Sequence, residues 1–196
     1  MTIAADGPGF HTVLTWHSTE ANASDPPDLQ IFAQGPFINE GTAVGSLCAA
    51  LLRPRSRGRV MLRSLDPAAP PMIDLALLTD GSDLRRLMEG LRQARRLVSA
   101  SAFDAVADQQ HRRGNGLRDG ELKDEIYANV RTYHHPTGTC AMGPDPAQAV
   151  VDHNGHVHGT EGLVVADASI MPEIPSANTN LATIMLAERI AARLTG

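Results

Sequence analysis

HHPTGTCAMG, residues 134–143, decides how this chain folds, together with GLVVADASIMP (162–172) and NTNLATIMLAE (178–188) downstream. His135 precedes Pro136, which biases it toward an extended backbone and off any helix. Thr137, Gly138 and Thr139 then make a compact turn. An imidazole fixed this way presents one ring nitrogen to a substrate while a neighbour orients the other. His134, one residue earlier on the same extended segment, is expected to point elsewhere. Asn178 and Asn180 sit at the mouth of a helical pattern running from about Thr179 to Leu194. Asn is a preferred helix cap, and a helix start offers unpaired N–H groups and roughly half a positive charge. Leu163–Ala166 reads as a short buried strand ending at Asp167, at the edge where ligands collect in open α/β sheets. An imidazole beside a polar helix start suits proton abstraction next to a group that accumulates negative charge.

Upstream the pattern changes. Phe10–His17 alternates between apolar and polar, Leu29–Phe32 is a second short run, and Asn22–Pro27 between them is rich in turn residues. Gly45–Leu52 is apolar and stops at Pro54, and Arg57-Gly58 leads into the alternating run Arg59–Arg63. These two runs are expected to pair as a hairpin, ended by Pro67, Pro70 and Pro71. Residues 82–100 carry Leu84, Leu87, Met88, Leu91, Ala94, Leu97 and Val98 at helical spacing, with Ser82 as the expected cap. Asp119–Arg131 is a second helix burying Leu122, Ile126 and Val130, and the last helix is expected to bury Ile184, Met185, Ile190 and Leu194. Strands followed by helices predict an α+β fold.

Composition narrows the function. The chain has 196 residues, 42% hydrophobic and 20% charged, which suits a soluble globular protein with one core or two small ones. A net charge of −5 and scattered arginines argue against nucleic-acid binding. Cys48 and Cys140 make neither a disulfide framework nor a zinc site, and reduced thiols point to the cytoplasm. The start MTIAADGPGF lacks the charged and apolar regions of a signal peptide, and no apolar run reaches the ~20 residues of a membrane span. Asp152, His153, His156 and His158 have spacing suggestive of a metal site. Asn154-Gly155, however, predicts a tight turn that leaves the imidazoles on a polar surface, so no metal is expected.

The three downstream segments together resemble the C-terminal signature of the glucose–methanol–choline (GMC) flavoprotein oxidoreductases. In that family a histidine before Pro-x-Gly-Thr removes the substrate hydroxyl proton as hydride passes to flavin N5, and it matches His135. A second active-site residue, histidine or asparagine, touches the substrate oxygen and matches Asn178. The segment after it lies against the flavin and matches Thr179, Asn180 and Leu181. The Val-x-Asp-Ala-Ser stretch lies near the cofactor and matches Asp167 and Ala168. LLRPRSRGRVMLRSLDPAAPPMIDL (51–75) looks like the family's substrate-domain hairpin.

The resemblance implies an antiparallel-sheet substrate-binding domain over 1–149. A strand–loop–helix over 150–196 would close an FAD-binding domain. The family's Gly-x-Gly-x-x-Gly unit, which binds the FAD pyrophosphate, is not in this sequence. The implied function is therefore the C-terminal portion of an FAD-dependent alcohol oxidoreductase, made separately or truncated, and functional only when an N-terminal FAD domain is supplied. The alternative is a noncatalytic remnant or interaction module that binds no flavin.

Overall fold

The protein is described by a computed structural model over residues 12–39, 42–104 and 117–195. Its contacts divide it into two units, Met1–Arg57 with Leu77–Arg131 and Gly58–Ala76 with Thr132–Gly196.

The first unit is a three-stranded antiparallel sheet with helices against it. Strand β1 (Val13–Trp16) pairs with β2 (Leu29–Asn39), and β2 pairs with β3 (Thr42–Leu51), the register shifting between Gln34 and Phe37. Helix α1 (Gly81–Val98) lies on β2 and β3 at its glycine. A Cβ on Gly90 would stand 3.3 Å from the Ala49 Cβ and 3.6 Å from Leu29 Cδ2, so the missing side chain permits the close approach. A short helix α2 (Ser101–Asp104) follows, then α3 (Asp119–Asn129). Glu121 accepts from the Arg118 N–H at 2.8 Å and secures the start of α3. Leu78, Leu84, Leu122 and Ile126 form a buried cluster, with Leu87, Met88 and Leu91 packed on it. The period-3.6 stripes of both helices thus meet each other, as their spacing predicts.

A charged cluster lies beneath α1. Arg86 donates to Asp28 at 3.0 Å and to Asp83 at 2.5 Å, and all three side chains are almost fully buried. Asp28 also accepts from the Ser18 N–H and hydroxyl, each at 2.7 Å. Asp83, in the first turn of α1, accepts from the backbone N–H groups of Arg55 and Ser56, both at 2.8 Å. Buried charge persists only when paired and hydrogen-bonded in this way.

The second unit contains a two-stranded hairpin, β4 (Arg59–Met61) with β5 (Met72–Asp74), and the C-terminal segment. That segment is held by isolated bridges, Met142 to Val151, Val151 to Val157 and His156 to Val164, rather than by long strands. A 3₁₀ turn at Ala168–Ile170 and helix α4 (Asn180–Thr195) follow. Val151, Ile170 and Ile190 make its buried core, with Met142, Val157, Val164, Val165 and Leu186 around it.

The mixed antiparallel and helical architecture is α+β, as the order of elements predicts. Four local expectations need correction. Gly45–Leu52 and Arg59–Arg63 do not pair: β3 takes β2 and β4 takes β5. Asp83 captures the backbone after Pro54, so no turn between the two runs forms there. Asp80, not Ser82, caps α1, its carboxylate accepting from the Ser82 N–H at 2.8 Å. Leu163–Ala166 makes one bridge instead of a strand, preceded by Gly159 and Gly162 with φ of 72° each. In α4 only Ile190 of the expected core residues is buried, while Ile184, Met185 and Leu194 are 51%, 56% and 57% exposed. The Phe10 and His11 end of the first expected strand lies outside the described residues.

Candidate active site

The HPTGTCAMG loop is tied to both downstream segments inside the second unit. The Cys140 N–H donates to the Ser169 carbonyl and the Met142 N–H to the Ile170 carbonyl, each at 2.9 Å. Gly138 has φ of 85°, a left-handed conformation that favours glycine and lets the chain turn toward these partners. Residues 138–142 therefore run beside the 3₁₀ turn at Ala168–Ile170.

His135 reaches the start of α4. Its Nδ1 lies 3.2 Å from the Thr179 hydroxyl, and the Tyr133 ring stands edge-on to the imidazole with centroids 5.1 Å apart. Among the described residues Nε2 has no hydrogen-bond partner, and the side chain is half-buried. Thr179 is itself buried, and its carbonyl accepts from both the N–H and the hydroxyl of Thr183 at 2.8 Å. That i+4 bond makes Thr179, between the two asparagines, the residue that opens the helix. Asn178 and Asn180 flank it, both exposed. Leu181, the next residue of α4, is 78% exposed.

His134 departs from the extended backbone expected of it. Its φ is 63°, in the left-handed region, and its N–H donates to the Thr132 hydroxyl at 3.0 Å. This reversal one residue before His135 turns the chain into the Pro136 loop.

Asp167 opens the 3₁₀ turn rather than standing free. Its Oδ1 accepts from the Ser169 hydroxyl at 2.5 Å and from the Ser169 N–H at 2.8 Å. Those two bonds, the hydroxyl's first, hold its carboxyl below the usual carboxylate range against the opposing effect of burial. Ala168 is the first residue of the turn that Asp167 caps.

The histidines of the 152–158 segment are engaged singly. His156 faces Asp152 at 3.3 Å, His158 donates to the Gly143 carbonyl at 3.0 Å, and His153 meets the Asn154 amide. No cluster able to hold a metal ion occurs among the described residues. None of their helices is long and apolar enough to cross a membrane.

The three predicted segments thus come together, with Thr179 as the direct partner of His135. Sequence reasoning did not assign Thr179 or Tyr133 to the imidazole. The signal available was weak, a hydroxyl between two asparagines and an aromatic two residues before the histidine. Chemically, the loop and the helix start present an imidazole nitrogen, two exposed amides and the N–H end of α4.

Comparison with known proteins bears on the same residues. The pattern of the GMC oxidoreductase family matches residues 54–187. The chain is 42% identical over 146 residues to an oxygen-dependent choline dehydrogenase of Paraburkholderia phymatum, covering 74% of this chain and 25% of that protein. An oxygen-dependent choline dehydrogenase of Chromohalobacter salexigens is 40% identical over 146 residues, with 74% and 26% covered. The chain therefore spans about a quarter of the length of the curated relatives it matches. Among solved structures, pyridoxine 4-oxidase from Mesorbium loti superposes with a TM-score of 0.78 at 29% identity, over 92% of this chain and 37% of that one. A formate oxidase variant from Aspergillus oryzae, whose structure addresses FAD modification, gives 0.78 at 28% identity, over 85% and 31%.

Proposed function

The chain belongs to the GMC oxidoreductase family, and from that premise we propose that it is the C-terminal portion of an FAD-dependent oxidoreductase acting on the CH–OH group of a small-molecule alcohol. The observation that carries this reading is the engagement of His135 through Nδ1 at the start of α4, which leaves Nε2 without a partner among the described residues. A positioned imidazole with one free nitrogen is the equipment of a general base.

The residues present fit one side of a flavin. FAD, when bound, supplies the hydride acceptor. Asn178 and Asn180 are exposed beside the N-terminus of α4, where donors and partial positive charge favour the anionic edge of a reduced ring. Leu181 offers an exposed apolar surface on the first turn of the helix. His135 takes the hydroxyl proton on Nε2, and Asn178 donates a hydrogen bond to the substrate oxygen. Asp167, Ala168, Thr179 and Asn180 hold the backbone on the cofactor side.

In this reading 1–149 is the substrate-binding domain and 150–196 closes the FAD-binding domain. The family's pyrophosphate-gripping Gly-x-Gly-x-x-Gly unit is not among these 196 residues, and in this reading they work with an FAD domain that carries it. The unburied apolar face of α4 supports it: Leu181, Ile184 and Met185 are each more than half exposed, a stripe that a helix ordinarily covers.

The test joins the chain to a compatible FAD domain. His135→Ala is expected to lower the rate of flavin reduction by roughly 10²–10⁴, the usual contribution of a general base. Asn178→Ala should cost less and His134→Ala least. An essential His134 beside a dispensable His135 would overturn the assignment.

A further inference from the structure

We propose that Thr179 is a positioning residue that decides which nitrogen of His135 carries the proton. Its hydroxyl oxygen accepts from Nδ1–H, and Nε2 is thereby left as the lone pair that receives the substrate proton. The inference rests on the reading of His135 as base and adds the residue through which that base is prepared.

Several observations converge on it. The Nδ1 to Oγ1 separation is 3.2 Å, and Thr179 is only 8% exposed, so water does not readily replace this contact. The Thr179 carbonyl is committed to Thr183 through two bonds of 2.8 Å, which fixes its backbone. Branching at Cβ restricts χ1 further, so the hydroxyl has few other positions. Among the described residues Oγ1 has no partner besides His135. The imidazole is equally confined. Pro136 restricts its backbone, and the Tyr133 ring, inclined at 80° with centroids 5.1 Å apart, stands against its face or edge and resists a ring flip.

A hydroxyl can donate or accept, and the two arrangements have opposite consequences. If Thr179 donated to Nδ1, the proton of the neutral ring would sit on Nε2 and block proton uptake there. If it accepts, Nδ1 keeps the proton and Nε2 is open. Among the described residues no backbone N–H of α4 occupies Oγ1, so a lone pair is available to Nδ1–H, and accepting is the arrangement that the reading of His135 as base requires.

The experiment reads the tautomer directly in this chain. Nitrogen NMR of ring-labelled histidine, assigned to His135 and recorded where the ring is neutral, should show the proton on Nδ1. In Thr179→Val, which keeps the shape and removes the oxygen, the ratio of tautomers should move toward Nε2–H by roughly two- to tenfold, the reach of one hydrogen bond. Thr179→Ser should restore the original ratio, whereas a purely packing role for the threonine would leave the ratio alone in both variants. A wild-type ring protonated on Nε2, or a ratio unchanged by Thr179→Val, would overturn the inference. Should the valine variant not fold, the wild-type tautomer and the serine variant decide it. Failure of the base assignment looks different: His135→Ala would leave flavin reduction intact in the assembled enzyme although Thr179→Val still shifted the tautomer.

Discussion

Arg86→Ala is expected to destabilise the first unit by about 3–5 kcal/mol, the cost of breaking a buried ion pair from one side. The guanidinium makes three bonds, to Asp28 at 3.0 Å, to Asp83 at 2.5 Å and to the Arg53 carbonyl at 3.0 Å. Its loss leaves two carboxylates, 5% and 1% exposed, without the cation between them. Both keep donors, Ser18 for Asp28 and the Arg55 and Ser56 N–H groups for Asp83, which places the loss near the lower end, about 3 kcal/mol. The single tryptophan, Trp16, lies in β1 of this unit and donates to Glu89 of α1, so its fluorescence reports the packing. With a urea slope of ~2 kcal/mol/M, the midpoint should fall by about 1.5 M. Arg85→Ala, which removes an exposed bridge to Glu20, should move it little. The cluster also sets an acid limit. Burial opposes the charged form of Asp28, but the Ser18 N–H, the Ser18 hydroxyl and Arg86 outweigh it and hold the carboxyl below its ordinary value. A lowered folded value contributes stability above the ordinary carboxylate range, lost as pH falls through the folded value, and Arg86→Ala should shift that loss to higher pH. A midpoint change equivalent to less than ~1 kcal/mol, the range of surface pairs, would refute the argument.

Asp152 should titrate at about 2, because hydrogen bonds from the Asn154 and His156 N–H groups and the His156 ring outweigh the opposing effect of burial. Its contribution is complete above the ordinary value near 3.8 and lost as pH falls toward about 2; a carbon-detected NMR titration with a midpoint near 3.8 would contradict this. Gly155→Ala should lower the melting temperature, since φ is 84° and a Cβ would stand 2.5 Å from the Val165 carbonyl oxygen. The left-handed backbone alone costs about 1–2 kcal/mol, so an unchanged transition in calorimetry would show that the turn relaxes freely. Ile184→Glu with Met185→Glu, both on the exposed face of α4, should leave the circular dichroism of the chain unchanged and weaken its association with an FAD domain. Equal affinity in a titration by ultracentrifugation would remove that face from the interface.

What the sequence discloses depends on the range of the interaction. α1, α3 and α4 were legible because their apolar residues recur at helical spacing, and their ends fall within a few residues of expectation. The partner of β3 was not, because Gly45–Leu52 is apolar throughout and fits any neighbouring strand equally well. Asp83 holds the backbone that follows β3, and a carboxylate in a helix's first turn looks like an ordinary capping charge until it is found buried. The core face of α4 was misjudged for a related reason: its apolar residues occupy more than one face, and sequence cannot say which face these 196 residues cover. At the site, the three segments were legible from their motifs. The hydrogen bond between His135 and Thr179 was not, since it joins residues 44 apart through a side chain with no pattern of its own.

The order in which the chain visits its two units bears on its synthesis. Gly58–Ala76 belongs with Thr132–Gly196, yet the 55 residues of Leu77–Arg131 are made in between. At bacterial to eukaryotic elongation rates the hairpin waits roughly 3–11 s on the ribosome before the first residue of its unit's remainder appears. During that interval it carries Leu62 and Leu65, which stay 83% and 99% exposed even in the finished fold. The first unit, by contrast, has its described strands and α1 within the opening 98 residues and waits only for Leu122 and Ile126 of α3 to complete its buried cluster. Neither unit is a contiguous stretch of sequence, so no single truncation yields the His135 loop with its hairpin and without Leu77–Arg131 of the first unit. Recombination that moves this loop and its hairpin as one stretch must carry Leu77–Arg131 of the first unit with them.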